Sequence, residues 1–405
     1  MAAEQIDRAD ERTGADEARV IALTEQLLAE LDPRTVPAAE FLGRQFDLGL
    51  AWVHHPVGLG GLGLSPKLQR LINERVFAAG AVNPMAVNPM GYGMGAPTIA
   101  THGSDEQKRR YLRPIFTCEE IWCQMFSEPG AGSDVAGLGT RAVRDGDEWV
   151  VNGQKVWTSL AHLARWGMLL ARTDPEQPKH TGLSYFVIDM HQPGVEVRPL
   201  RQLTGEAEFN EVYFTDARIP DRERMGEVGD GWRVAITTLM NERVSIGGAI
   251  APRGSGLIGQ AITLYQERAA GDVAVRDRLM SLWIRAELLR LTNVRAAANR
   301  KASNPGPEGS VAKLAMAELN KELTDFVVGL LGADGMLLGD EYALGRPDHS
   351  AGYASFQKQF LRARANSIEG GTSEVMRNIL GERTLGLPGD VRVDKDLPWS
   401  AVPKN

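Results

Sequence analysis

The hydrophobic period of this chain changes twice, and those two changes constrain its architecture more than any other feature. Residues 17–32 place Val20, Leu23, Leu27, Leu28 and Leu31 at helical spacing, and Leu68, Leu71, Ile72 and Val76 repeat the pattern. Ser104 followed by Asp105 and Glu106 predicts another helix start, because a hydroxyl caps free N–H groups and acids suit the first turn. From about residue 121 the texture becomes strand-like. Trp149, Val150 and Val151 lead into Asn152-Gly153, which predicts a hairpin turn. Met168–Leu170, Tyr185–Ile188, Val195–Val197 and Val212–Phe214 predict further strands, punctuated by Gly, Pro and Asp. After Pro220 the helical period returns with Trp232, Ile236, Leu239, Met240 and Val244. Helices are expected over 255–267, 274–300 and 311–331, the last closed by Gly332, with a break at Asn304–Gly309. A final helix follows Thr372 and places Val375, Ile379 and Leu380 on one face. The expected organisation is α+β and multidomain: an N-terminal helical domain over 1–118, a central β-domain over 119–222 and a C-terminal helical bundle over 223–405.

Composition narrows the function classes. A chain of 405 residues exceeds one small core, so two or three domains are expected. The formal net charge of −7 supplies no basic field for nucleic acid or an anionic membrane. The first twenty residues are polar and acidic, without the apolar core of a secretory signal, and no apolar run approaches the roughly 20 residues of a membrane span. Cys118 and Cys123 bracket four residues, which is neither a C-x-x-C pair nor half of a zinc site. A reduced, cytoplasmic protein is the plain expectation.

Two stretches carry chemistry. Met125-Phe126-Ser127-Glu128-Pro129-Gly130-Ala131-Gly132-Ser133-Asp134 is rich in small residues that let backbone N–H groups approach a flat, electron-rich ligand. Asn152-Gly153-Gln154-Lys155-Val156-Trp157-Thr158-Ser159 adds a large aromatic ring followed by two hydroxyls. Two other features are set aside. Gly58-Leu59-Gly60-Gly61-Leu62-Gly63 spells a dinucleotide fingerprint but lacks a βαβ context, so a loop between helices is expected. His54-His55 shows no metal-ligand spacing.

These stretches, together with Ile368-Glu369-Gly370-Gly371-Thr372-Ser373-Glu374 and the helix–β–helix order, resemble the acyl-CoA dehydrogenase family over nearly the whole chain. The resemblance implies a central β-barrel domain between two helical domains. It also implies FAD as cofactor, an acyl-CoA thioester as substrate and an electron-transfer flavoprotein as electron acceptor. The assembly it implies is a homo-dimer or tetramer, or a hetero-tetramer with a related subunit. The expected reaction is α,β-dehydrogenation to a trans-2-enoyl-CoA. Alternatives on the same scaffold are a low-activity partner subunit and an acyl-CoA oxidase or flavin monooxygenase.

Site roles follow from the resemblance, residue by residue. Backbone groups of Met125, Phe126 and Ser127 should face the flavin, with Gly132 and Ser133 near the flavin and the CoA arm. Trp157 should cover one flavin face, and Thr158 or Ser159 should bond its reactive edge. Gly371, Thr372 and Glu374 should contact the cofactor, and a backbone N–H near Gly370 should hold the thioester oxygen. Many members carry the base immediately before the Gly-Thr of the last stretch, where this chain has Gly370, which cannot accept a proton. A smaller branch places a glutamate before an arginine on the first long C-terminal helix, and this chain has Glu242-Arg243 there. Glu242 is therefore the expected base, Glu369 the runner-up, and Arg243 an expected substrate contact.

The chain departs from the family in two places. An Arg-x-x-Phe-Gly stretch is replaced by Glu267-Arg268-Ala269-Ala270-Gly271-Asp272, and a Gln- and Gly-containing stretch by Gly329–Gly335. Both departures resemble a branch in which two unlike subunits share their FAD sites.

Overall fold

A computed structural model describes residues 2–247, 250–301, 307–338, 344–346, 355–389, 391 and 394–403, with the side chains of 2–13, 243–247, 300 and 301 outside the description. The N-terminal part contains α1 (Ala2–Glu30), α2 (Ala38–Asp47), α3 (Gln69–Ala78), α4 (Pro84–Val87), α5 (Ala96–His102) and α6 (Asp105–Thr117). The start of α6 is a complete capping box: Gln107 N–H donates to Ser104 Oγ, and the Gln107 side chain accepts from Ser104 N–H. No such signal marks α2, which begins after Pro37 with no side-chain cap. The Gly58–Gly63 run is a loop between α2 and α3.

Eight strands follow: β1 (Trp122–Met125), β2 (Arg141–Asp145), β3 (Glu148–Ser159), β4 (Trp166–Arg172), β5 (Leu183–Asp189), β6 (Val195–Pro199), β7 (Phe209–Pro220) and β8 (Arg224–Met225). They form one sheet in the order β6-β7-β3-β2-β4-β5-β8, with β1 parallel to β4. Both faces of β4 and β5 are covered. Met168, Leu170, Tyr185 and Val187 enter a core shared with the N-terminal helices, while Leu169, Ala171, Phe186 and Ile188 enter a second core inside the β-domain. Alternate residues of a strand point to opposite faces, so burial on both sides yields the unbroken apolar runs seen in the sequence.

Asn152-Gly153 is not the hairpin turn. Strand β3 runs through it, and the turn connecting β2 to β3 lies at Asp145–Glu148, where Gly146 takes φ +61°. Gly153 serves close packing instead, since a Cβ there would lie 2.5 Å from Thr140 Oγ1. Asn152 bonds Asp216 on β7 through its side-chain amide, and its own Oδ1 accepts from Asp216 N–H.

The C-terminal part comprises α7 (Gly231–Gly247), α8 (Leu257–Arg268), α9 (Val273–Lys301), α10 (Glu308–Leu330), α11 (Phe356–Asn366) and α12 (Ser373–Arg383). Val234 and Ala235 of α7 belong to the core shared by the N-terminal helices and the sheet. Helices α8, α9 and α10 form their own cluster around Leu264, Leu279, Leu323 and Phe326. Cys118 and Cys123 are free, and burial pushes the Cys118 thiol up to about 12.

Candidate active site

The Met125–Asp134 loop is pinned from beneath. Met125 and Phe126 bury their side chains in separate cores, so only their backbone is free to meet a ligand. Glu128 and Ala131 exchange backbone hydrogen bonds at 3.0 Å across the Pro129-Gly130 turn. The Glu128 carboxylate accepts from Gly139 N–H at 2.7 Å, Thr140 N–H at 2.9 Å and Lys155 Nζ at 2.8 Å. Lys155 is fully buried and also donates to Phe126 O at 3.0 Å. Burial pushes the Glu128 pKa up, but the Lys155 charge and these hydrogen bonds outweigh it and hold the carboxyl below its usual range. Val156 N–H donates to Ser127 O, which ties the loop edge to β3. Gly132 and Ser133 are exposed at the tip, and a Cβ on Gly132 would meet nothing within 4 Å. Next to them, Asp134 pairs with Lys179, which also holds Asp394 near the C-terminus.

Strand β3 presents Trp157 in an unusual way. A register shift between Lys155 and Thr158 makes a bulge, and Trp157 adopts φ +60°. Its ring is 58% exposed and meets Phe209 edge-on at 5.9 Å. Thr158 is fully buried, yet its Oγ1 has no hydrogen-bond partner among the described residues. Each feature is unfavourable alone: left-handed backbone at a bulky residue costs about 1 kcal/mol or more, and an orphaned buried hydroxyl about 1–3 kcal/mol. A flat ligand lying on the indole and bonding Thr158 would offset these costs. Ser159 is half-buried at the end of the strand.

From Trp157 a chain of contacts reaches the last signature stretch. The Arg362 guanidinium lies 5.8 Å over the Phe209 ring. The same guanidinium grips Glu369 with two hydrogen bonds, and Asn366 Nδ2 donates to Glu369 Oε1 at 2.7 Å. Gly370 and Gly371 both take left-handed backbone, at φ +63° and +94°. Thr372 Oγ1 accepts from Val375 N–H and so caps α12. Glu374 is exposed beside Arg377 in the first turn of that helix.

Lys313 on α10 is fully buried. Its Nζ donates to Asn366 O at 3.0 Å and to Gly371 O, fastening the turn from below. Burial lowers its pKa, opposed by the carboxylates of Glu369, Glu242, Glu318 and Glu374. Glu242, half-buried on α7, thus lies within electrostatic reach of the ammonium that holds the Gly370-Gly371 turn. One helical turn before it, Thr238 is buried against the hydroxyls of Thr98 and Tyr185. The Arg243 side chain falls outside the described residues.

The geometry thus links Trp157, Glu369, the Gly370-Gly371 turn and Glu242 through Phe209, Arg362, Asn366 and Lys313. Glu374, in the first turn of α12, also lies within electrostatic reach of Lys313, whereas among the described residues no contact joins Ser133 to that group. The sequence reading had not singled out Glu128, Lys155, Lys313 or Arg362. A signal existed for two of them. Lys155 shares the inward parity of Trp149 and Val151 along β3, and Lys313 falls at helical spacing with buried Ala317, Thr324 and Val327.

A helical part, a sheet and a helical bundle in this order form the scaffold of a flavoenzyme of acyl-thioester dehydrogenation. Models of the acyl-CoA dehydrogenase N-terminal, middle and C-terminal domains match residues 9–119, 123–217 and 229–385, and the chain belongs to the acyl-CoA dehydrogenase family. It is 39% identical over 355 residues to the acyl-CoA dehydrogenase IpdE1 of Mycobacterium tuberculosis, covering 85% of this chain and 86% of that one. Among solved structures it is similar to the ChsE4–ChsE5 complex of Mycobacterium tuberculosis, with a TM-score of 0.68, 30% identity, and coverage of 92% of this chain and 97% of that one. It is also similar to the Tcur3481–Tcur3483 steroid ACAD, with a TM-score of 0.68, 26% identity, and coverage of 93% and 98%. The chain is an FAD-dependent acyl-CoA dehydrogenase. Its residues fit that cofactor: the unpartnered Thr158 Oγ1, the exposed indole and the open space above Gly132 are the features such a ring requires. Among the described residues, no helix is long and apolar enough to cross a membrane.

Proposed function

We propose that Glu242 is the base of the dehydrogenation, that the Gly370-Gly371 turn receives the thioester oxygen, and that Met125–Ser127, Gly132, Ser133, Trp157, Thr158 and Ser159 hold FAD. The carrying observation is the state of Glu369. Both of its oxygens are taken by Arg362, and one also by Asn366, so it is committed to structure. Gly370 offers no carboxylate, and Glu242 on α7 is the other acid whose charge reaches the ammonium that holds the turn. FAD, when bound, supplies the acceptor for the hydride leaving Cβ. The chain's own part is to take the α-proton at a Glu242 carboxylate oxygen, and to place a backbone N–H where negative charge gathers on the thioester oxygen. Left-handed glycines suit that second task, because without a Cβ the substrate can reach the backbone. Gly371, Thr372 and Glu374 complete the cofactor side, Ser133 and Arg243 the CoA side.

The physiological assembly in this reading pairs the chain with a related subunit, and an electron-transfer flavoprotein drains the electrons. Helix α9 supports the pairing. Met280, Ile284, Leu288, Leu291 and Val294 are all exposed at spacings of four, four, three and three residues, one apolar stripe about 21 Å long. The altered stretches 267–272 and 329–335 and the similarity to a two-component complex point the same way. Substrates with a bulky, steroid-derived acyl group fit the similarity to the steroid ACAD.

Anaerobic titration of the purified flavoprotein with a panel of acyl-CoAs tests the reading. Saturated acyl-CoAs should bleach the flavin band of the parent protein and leave it unchanged in Glu242→Gln. Bleaching of Glu242→Gln at the parent rate would move the base elsewhere.

A further inference from the structure

We propose that Lys313 is a positioning residue for the dehydrogenation: its buried ammonium fixes the Asn366–Thr372 turn through two backbone carbonyls and holds a positive charge beside Glu242. This rests on Glu242 being the base. The motifs do not point to Lys313, which lies 53 residues before Asn366 and 58 before Gly371, the two residues whose carbonyls it binds.

Three observations converge. Lys313 has no exposed surface, and an ammonium is buried at high cost unless it is paired and hydrogen-bonded. Its hydrogen-bond partners are main-chain oxygens flanking Gly370, the position from which a backbone N–H would reach the thioester. Helix α10 packs against α7, α11 and α12, so this one side chain sits where the proposed base, the Glu369 clamp and the α12 cap meet. A side chain without a donor would leave the Asn366 and Gly371 oxygens without the Lys313 hydrogen bonds and free the turn to drift.

The charges around this pair are defined. Lys313 faces Glu242 from α7, Glu369 from the turn, Glu374 from α12 and Glu318 from its own helix. Glu369 is also held by Arg362, Glu318 by Lys321 and Ser373, and Glu374 by Arg377. Around α7, His102 of α5 bonds Thr237, Tyr185 of β5 bonds Thr238, and Arg233 pairs with Asp230. Positive charge beside a carboxylate favours its ionised form, so Lys313 keeps the base ready at lower pH.

The test compares Lys313→Met, which removes charge and donors, with Lys313→Gln, which removes the charge but keeps a donor. Both are made in the full chain with FAD, alongside Glu242→Gln. The probes are the saturated acyl-CoA that best bleaches the parent protein and its trans-2-enoyl product. Product binding, read from the shift in the flavin spectrum, should stay within about 3-fold of the parent. The rate of bleaching should fall at least about 30-fold in Lys313→Met and less in Lys313→Gln. In both, the acid limb of the rate profile should move up by about one pH unit, because the base loses its favourable neighbour. An unmoved acid limb in a yellow Lys313→Gln protein, with Glu242→Gln inactive, overturns the role of Lys313 alone. Glu242→Gln bleaching at the parent rate overturns both assignments. If Lys313→Met does not fold, Lys313→Gln decides. If neither variant retains FAD, Lys313 is purely structural and the proposal falls.

Discussion

Glu369 and Arg362 form a two-pronged ion pair, with Oε1 3.0 Å from one guanidinium nitrogen and Oε2 2.6 Å from the other. The pair separates the two acids considered for proton abstraction. Glu369→Gln should lose the charge pairing and loosen the turn while keeping bleaching within about 10-fold of the parent. Glu242→Gln should lose about 10²–10⁴-fold, the usual contribution of a positioned general base. Stopped-flow bleaching under anaerobic conditions checks both.

Thr158→Val should act with opposite signs on the two states of the protein. In the apoprotein it removes an unpartnered buried hydroxyl and should raise stability by up to about 1 kcal/mol. In the holoprotein it removes the proposed hydrogen bond and should weaken FAD by roughly 5–10-fold. Denaturant melts of the apoprotein and FAD titration give the two signs separately.

Lys155→Met should be costly. It leaves Glu128 beneath the loop without its cation, and breaking one side of a buried pair costs about 3–5 kcal/mol. Adding Glu128→Gln should recover part of that loss. Equilibrium denaturation of the single and double variants measures the coupling.

His55 gives the fold a built-in acid sensitivity. It is 6% exposed and lies on the Trp52 ring at 5.0 Å. Burial, helped by neighbouring His54, brings its pKa down to about 4. The unfolded chain takes up the proton near pH 6.5 and the folded chain only near 4. Its contribution is therefore intact above pH 6.5, declines as pH falls toward 4 and then levels, a change of about 3 kcal/mol. His55→Asn should flatten the stability profile in that window, read by denaturant melts at stepped pH.

The sequence showed the helix–sheet–helix order because burial period is local: β4 and β5 are apolar on both faces, and α6 announces itself by its capping box. It misassigned Asn152-Gly153 because the demand on Gly153 comes from Thr140, the residue before β2, and not from a turn. At the site, the glycine-rich loop and the indole were legible as composition. The clamps were not, since Lys155 meets Glu128 across 27 residues and Lys313 meets Gly371 across 58. Parity and helical spacing place such lysines inside, but only the three-dimensional path shows which oxygen each one finds.

Helix α7 shares a core with the N-terminal helices and the sheet and also packs against α10, the helix that carries Lys313. The Ile250–Gly256 connection leads from α7 into the separate cluster of α8, α9 and α10, while Lys179–Asp394 and Trp399–Gly137 tie the C-terminal residues back to the β-domain. A nick in that connection should therefore leave two fragments that stay associated, one carrying Glu242 and Trp157 and the other the lysine that steadies them, and they should part only in denaturant.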